Sequence, residues 1–307
     1  MTPHLSKSGD CVDNLHGMRH PVQSRLWLAA ALLVLSTVAA GAADPPARGI
    51  LFWSPYSAGS GEQAAATMDA FARYLEKAAG WPGGSASAAY VNSVEGGPEA
   101  IAATRPGFLV VPVPIYLRHG EEQAWTPLRV VVTDSGDAQR YSVFGPAGTS
   151  LDSLAGAPLE GETAYDRAFV AGVVLDREKV ELALRATSRT LSAVRRAVKG
   201  ERLAVLLDEE QRSALAALPQ GSTLALLGES AWMPAGIVVA TAAASAGDRT
   251  ALAGALDRAG KDPAAGELLR TMKMRRFEPV SVELLTRLGK RYQKACAANH
   301  EAATPSH

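Results

Sequence analysis

The stretch ILFWSPYSAGSGE, Ile50–Glu62, decides how the rest of the chain is read. Four apolar residues fit a strand covered on both faces. They give way at once to Ser54, Tyr56, Ser57 and Ser60, with Gly59 and Gly61 among them. Ser60 followed by Gln63 is the S-x-x-Q start of a helix. Met68, Phe71, Leu75 and Ala78 then keep one helical face apolar. A buried strand that turns through a polar, glycine-rich corner into a helix is the opening of a β-α unit. In open α/β sheets such corners, outside the carboxyl ends of strands, are where ligands bind. Hydroxyls, backbone N–H groups and a positive helix end together suit an oxygen-rich or anionic small molecule.

Working outward, Gly80 and Pro82-Gly83-Gly84 close the first helix. A short strand at 88–91 follows, and Asn92 or Ser93 caps a second helix from Glu95 to Thr104. A third strand begins at Phe108 and ends near Val111 or Val113, where prolines interrupt it. This β-α-β-α-β order predicts a parallel sheet flanked by helices. Extended runs at 128–134 and 141–148 come next. Thr163 and Asp166 then mark the start of a helix in TAYDRAFVAGVVL, and the strand RLAVLLD (202–208) runs into the helix EEQRSALAAL. Two more strands, GSTLALLGES and AGIVVATA (235–242), precede a stretch that reads as wholly helical from Gly247 onward, with helices opened by Asp248, Asp262-Pro263 and Ser281. There is no internal sequence repeat, but two α/β units in succession predict two similar lobes.

Thirty-one basic residues against thirty-one acidic ones leave 307 residues with no net charge, so there is no electrostatic footprint for nucleic acid or an anionic membrane. Leu26–Ala43 is uncharged, follows Arg25 and ends in small residues. It reads as a signal peptide cleaved after Ala42 or Ala43, which predicts a periplasmic product; the alternative is an uncleaved anchor. MRHPVQSRLW from Met18 is a complete n-region, so translation is expected to start at Met18. No Cys ends the apolar run, so no lipid anchor is indicated.

Four stretches carry a resemblance to the periplasmic substrate-binding proteins of ABC transporters, and among them to the phosphate/phosphonate-type group of the type 2 class. They are FARYLEKAAG (71–80), SLDSLAGAPL (150–159), SAWMPAGIVVATA (230–242) and LLRTMKMRRFEPVSVELL (268–285). The resemblance implies two α/β lobes joined by two crossing hinge strands, with a ligand cleft between them. Residues 44–134 and 236–298 would form lobe 1 and residues 135–235 lobe 2. Residues 1–43 would be extension and signal peptide, and 299–307 a disordered tail. It also implies a small-molecule ligand and a partner in the membrane, either a permease or a sensor kinase, with the protein itself a monomer and no cofactor or metal. One departure matters. Where the family opens its lobe-2 ligand helix with Ser/Thr-Ser-Gly, this chain reads GETAYDRAF (161–169), which puts phosphonate itself in doubt.

Eight residues are candidates for the cleft. Ser54, Tyr56 and Ser57 follow the first strand, and Tyr116 follows the third. Thr163 and Tyr165 open the lobe-2 helix, Asp208 ends RLAVLLD, and Trp232 stands beside the return crossing. Each has a plain structural alternative: Thr163 and Asp208 as helix caps, Tyr116 and Trp232 as packing residues. Catalysis has little to stand on. His119, His300 and His307 are the only histidines after the leader, and H-E-x-x-H, G-x-S-x-G, C-x-x-C and P-loop patterns are all missing. An enzyme on the same fold and an exported scaffold with a decayed site remain as other classes.

Overall fold

The computed structural model describes residues 47–57, 59–217 and 223–303. The signal segment, its cleavage point and the Met18 start lie outside the described residues.

Two sheets organise the chain. In the first, β1 (Gly49–Trp53) is followed by α1 (Gly61–Ala79), β2 (Ser87–Val91), α2 (Gly96–Thr104) and β3 (Phe108–Val111), then α3 (Val113–His119) and β4 (Thr126–Thr133). The chain then crosses to build β5 (Ser142–Pro146), β6 (Pro158–Gly161), a π-helical stretch Phe169–Val174, β7 (Ala183–Ala186), α4 (Thr190–Val198), β8 (Ala204–Leu207), α5 (Glu209–Ala216) and β9 (Leu224–Glu229). It returns for β10 (Gly236–Ala240), α6 (Ala246–Ala259), α7 (Pro263–Thr271), β11 (Met274–Pro279) and α8 (Val282–Ala303). The strand orders are β11-β4-β10-β3-β1-β2 and β7-β6-β8-β5-β9.

The two sheets repeat one device. β1 pairs in parallel with β2 on one side and β3 on the other, and β6 does the same with β7 and β8. Each is therefore the strand at which the winding order reverses, where loops leave in opposite directions and open a crevice. Gly161 ends β6 because a Cβ there would lie 2.4 Å from the Leu206 carbonyl oxygen of β8. That close approach sets the direction in which Glu162 leaves the sheet.

The crossings, 134–141 outward and 230–235 back, are tied to each other. Gln139 and Met233 exchange both backbone hydrogen bonds, at 2.8 and 2.9 Å, and Ser230 and Tyr141 add a third at 2.8 Å. The crossings are not the sole connection. One apolar cluster runs from Leu51 and Leu109 of the first sheet through Phe169 and Val173 to Leu159 and Leu206 of the second, so the lobes share a core behind the hinge. Separate clusters lie under α1, α6 and α7 and under α4. Full burial of a Leu or Phe side chain contributes about 1.5–3 kcal/mol, so Leu51 and Phe169 alone stabilise the shared core substantially.

Several expectations are corrected. The prolines after β3 do not prolong a strand; Pro112 and Pro114 sit at the first turn of α3, where a missing N–H costs nothing, so Tyr116 lies on a helix. The region after Gly247 is not wholly helical. Lys273, at φ 56°, ends the helical run, and MRRFEP forms β11 at the sheet edge against β4, with Phe277 inward and charged neighbours outward. Residues 282–298, assigned to lobe 1, belong to α8, which packs on the π-helical stretch of the second lobe. Gly172 allows that approach, since a Cβ there would meet the Arg291 carbonyl oxygen at 2.4 Å. α8 also continues to Ala303, so the tail expected from 299 starts as helix. Residues 304–307 lie outside the described ones.

Candidate functional site

Two connected cavities, of about 520 and 880 Å³, occupy the crevice between the sheets and share Ser54, Ser57, Glu162, Asp208 and Lys273 among their linings. The first sheet contributes Ser54 and Ser57 from the corner after β1. The second contributes Glu162, Thr163 and Tyr165 from the corner after β6, and Asp208 from the end of β8. Equivalent corners of two similar sheets thus face each other.

The corner after β1 uses its own backbone donors. Ser54 N donates to Val91 O at 2.9 Å, Tyr56 N to Asn92 O at 2.8 Å, and Ser57 N to Ser54 O at 3.3 Å. Asn92 Nδ2 holds the next turn through Gly59 O at 2.5 Å. Ser60 caps α1 as expected, its Oγ accepting from Gln63 N at 3.2 Å. Tyr56 adopts φ 62°, a conformation that costs an L-residue about 1–2 kcal/mol. The strained turn sets its ring against that of Tyr165, with centroids 6.0 Å apart and planes 21° from parallel. This stack links the two lobes directly.

On the second lobe the helix starts are capped by carboxylates. Asp208 Oδ1 accepts from Gln211 N at 2.8 Å, and Gln211 Oε1 accepts from Asp208 N at 3.2 Å, a complete capping box for α5. Both readings of Asp208 therefore meet in one residue, a cap that also lines the cavity. Thr163 lines the cavity too, but it does not cap the helix: Asp166 does, accepting from Phe169 N at 2.9 Å.

Two sequence candidates fall elsewhere. Tyr116 borders a groove between α3 and α8, away from the crevice. Trp232 is 50% exposed on the return crossing, its ring 4.7 Å from the Arg140 guanidinium, and it lines neither cavity.

Sequence reasoning missed the electrostatic centre. Glu162 Oε1 accepts from Gln211 Nε2 at 2.9 Å. Burial, then the nearby charges of Asp208 and Glu210, push its carboxyl up to about 7. Burial also raises Asp208 above the usual carboxylate range. Lys273 reaches in from the first lobe, its Nζ 2.7 Å from Glu210 Oε1. That hydrogen bond, with the charges of Glu210, Asp208 and Glu162, raises its ammonium above the ordinary lysine value. Glu162 follows Gly161 directly and lies next to Thr163, so the strand-end rule that selected Thr163 reaches it with one step of side-chain alternation. Tyr141 and Gln139 of the outward crossing complete the floor; Gln139 Nε2 donates to Tyr141 Oη at 3.1 Å.

His119 stands apart, between Trp53 at 5.2 Å and Trp125 at 6.2 Å, with burial and Arg118 holding it down to about 4. Among the described residues no group of His, Cys, Asp and Glu side chains could hold a metal ion.

No family model matches the chain, and neither does any curated protein. Solved structures do. The XAC2383 protein from Xanthomonas citri, solved bound to chloride ion and bound to ATP, superposes with a TM-score of 0.62 at 13% identity; in the chloride-bound form the match covers 83% of this chain and 99% of that one. A binding protein component of an ABC phosphonate transporter from Pseudomonas aeruginosa gives 0.54 at 11%, covering 82% and 89%. PhnD1 from Prochlorococcus marinus, in complex with methylphosphonate, gives 0.51 at 11%, covering 80% and 99%. Two α/β lobes around a common crevice, joined by a paired double crossing, give this chain the type 2 periplasmic-binding-protein-like fold.

Proposed function

We propose that the protein is an exported solute-binding protein, holding a small ligand in the crevice between its lobes for a membrane partner. The observation that carries this reading is the crevice itself. Its walls come from the strand-end corners of both lobes, and Tyr56–Tyr165 and Lys273–Glu210 already span it. A ligand in that position touches both lobes, which is the condition for its binding to shift a hinge equilibrium. The paired crossings at Gln139 and Met233 are suited to such a hinge, while the shared core behind them limits its amplitude.

Export to the periplasm rests on the leader sequence and on the company of periplasmic binding folds. Delivery to the permease of an ABC transporter is the favoured outlet, with a sensor kinase as the alternative. The fold neighbours include phosphonate-binding proteins, but this crevice lacks the Ser/Thr-Ser-Gly donors that first suggested such a ligand. The reading is of a binding protein, monomeric and not an enzyme. Turnover of any crevice ligand that His119→Ala abolished would overturn it.

The test is a thermal-shift and calorimetric screen of the purified protein with amines, amino acids, organic acids, sugars, phosphate and phosphonates. A true ligand at 100 times its Kd adds about 2.7 kcal/mol of stability. No shift from any member of so broad a set would sink the reading in favour of a scaffold.

A further inference from the structure

Four carboxylates line the inner cavity, those of Asp134, Glu162, Asp208 and Glu210, and Lys273 is the only lysine or arginine among the residues lining it. The donors that an anion would need are spent. At the first corner the N–H groups of Ser54, Tyr56 and Ser57 bond to backbone carbonyls, and at α5 the Gln211 N–H bonds to the Asp208 carboxylate. The side chains present are acceptors. Glu162 has one oxygen on Gln211 Nε2 and no second partner among the described residues. The outer cavity adds Arg189, at its far rim from the first lobe.

Two further observations point to what the acceptors await. Tyr165, on the wall of the same cavity, has a buried hydroxyl with no hydrogen-bond partner among the described residues. Its ring stacks on Tyr56, forming an aromatic pair of the kind that attracts a positive charge. The Lys273 ammonium is itself drawn into the cluster from the opposite lobe, so the chain's own lysine already responds to this field. Lys273 and Glu210 are both well exposed, with side chains at 71% and 58%, so that contact is easily exchanged for another. The carboxylates are not placed for a metal ion.

Building on the binding-protein reading above, we propose that the crevice takes a small organic cation. Its ammonium would be held by Glu162, Asp208 and Glu210 beside the Tyr56–Tyr165 pair, in competition with Lys273. The lobe-2 corner that reads GETAYDRAF rather than Ser/Thr-Ser-Gly is then the substitution of a carboxylate and an aromatic ring for anion donors.

Calorimetric titration of the purified protein with putrescine, ethanolamine, methylphosphonate and ribose tests this, on wild type, Lys273→Met and Glu162→Gln. Putrescine or ethanolamine should bind. Lys273→Met should tighten that binding about two- to fivefold by removing a screened competitor, and Glu162→Gln should weaken it about ten- to a hundredfold by removing a charge-assisted bond. An anionic ligand reverses the first sign. Binding of methylphosphonate that Lys273→Met destroys would overturn the cation and leave the binding-protein reading standing. Ribose binding indifferent to both variants would do the same. If none of the four binds, the cation proposal falls, and the broader screen described above then judges the binding-protein reading separately.

Discussion

Glu162 and Asp166 lie four residues apart after the same strand, yet their surroundings are opposites. Asp166 is 4% exposed and fully committed: Oδ1 accepts from Phe169 N and Oδ2 from the Tyr292 hydroxyl, both at 2.9 Å. It fastens the start of the π-helical stretch to α8 and so holds the back of the molecule together. Glu162 is half-buried at the front, faces other carboxylates, and has a single side-chain amide for a partner. One carboxylate is satisfied and structural. The other is kept in an unfavourable place, as groups at functional sites commonly are.

The largest effect should come from breaking the satisfied one. Asp166→Ala leaves the Phe169 N–H and the Tyr292 hydroxyl without their acceptor inside the core. At about 1–3 kcal/mol per stranded group, the expected loss is roughly 2–5 kcal/mol in urea unfolding. Tyr292→Phe, which strands only one oxygen of Asp166, should cost less than half of that. If Asp166→Ala unfolds no more easily than wild type, the buried network is not what joins α8 to the second lobe.

Glu162→Gln should move stability the other way, and only at higher pH. The folded carboxyl titrates at about 7, above its ordinary value, so the folded state holds a proton that the unfolded chain releases. The stabilising contribution of the protonated form is complete below the unfolded value and is lost as pH rises through 7. The groups that set this window are Asp208, Glu210, Lys273 and Gln211, all facing Glu162. Thermal unfolding of Glu162→Gln should therefore exceed wild type by roughly 1–3 kcal/mol at pH 8 and match it near pH 4. An equal offset at both pH values would show that the carboxylate is not strained by its neighbours.

The contrast also explains what could be seen in the sequence alone. ILFWSPYSAGSGE predicted strand, corner and capped helix because each signal is local: an apolar run, glycines, a serine three residues before glutamine. The same logic found Ser54, Ser57, Thr163 and Asp208 at strand ends, and all four line the crevice. It failed where the deciding contact is distant. Tyr116 and Trp232 were chosen for proximity in sequence to strand ends, but Pro112 and Pro114 start a helix that turns Tyr116 toward α8, and Arg140 draws the Trp232 ring. β11 was lost because Met, Lys and Arg favour a helix locally, while pairing with β4 overrides that preference. Glu162 was passed over because its significance depends on Asp208, Glu210 and Lys273, none of which is near it in sequence. Burial of Asp166 against Tyr292, 126 residues away, was invisible for the same reason.

A smaller effect tests the link between the front of the crevice and the first lobe. Tyr56→Ala removes a stack worth about 0.5–1.5 kcal/mol and should weaken ligand binding by about two- to tenfold while changing stability little. Tyr56→Gly should recover about 1 kcal/mol of stability relative to the Ala variant, because glycine accepts φ 62° without the steric cost. The two variants separate the ring's role from the turn's. Equal stability in both would mean that the turn relaxes when the ring is removed.

Trp232→Ala should have the least consequence. The ring is half-exposed, and its contact with Arg140 is a surface cation–π pair worth about 0.5–1 kcal/mol. Arg140 keeps its bond to Glu229 at 3.0 Å when the ring is gone, so the crossing stays anchored. Ligand affinity should be unchanged within error, since the ring lines neither cavity. A change of more than about threefold in affinity, with stability intact, would move the working part of the molecule from the Glu162 corner to the hinge. The sign of that change would then say which state of the lobes Trp232 favours: tighter binding would mean that the ring had been holding the crevice open.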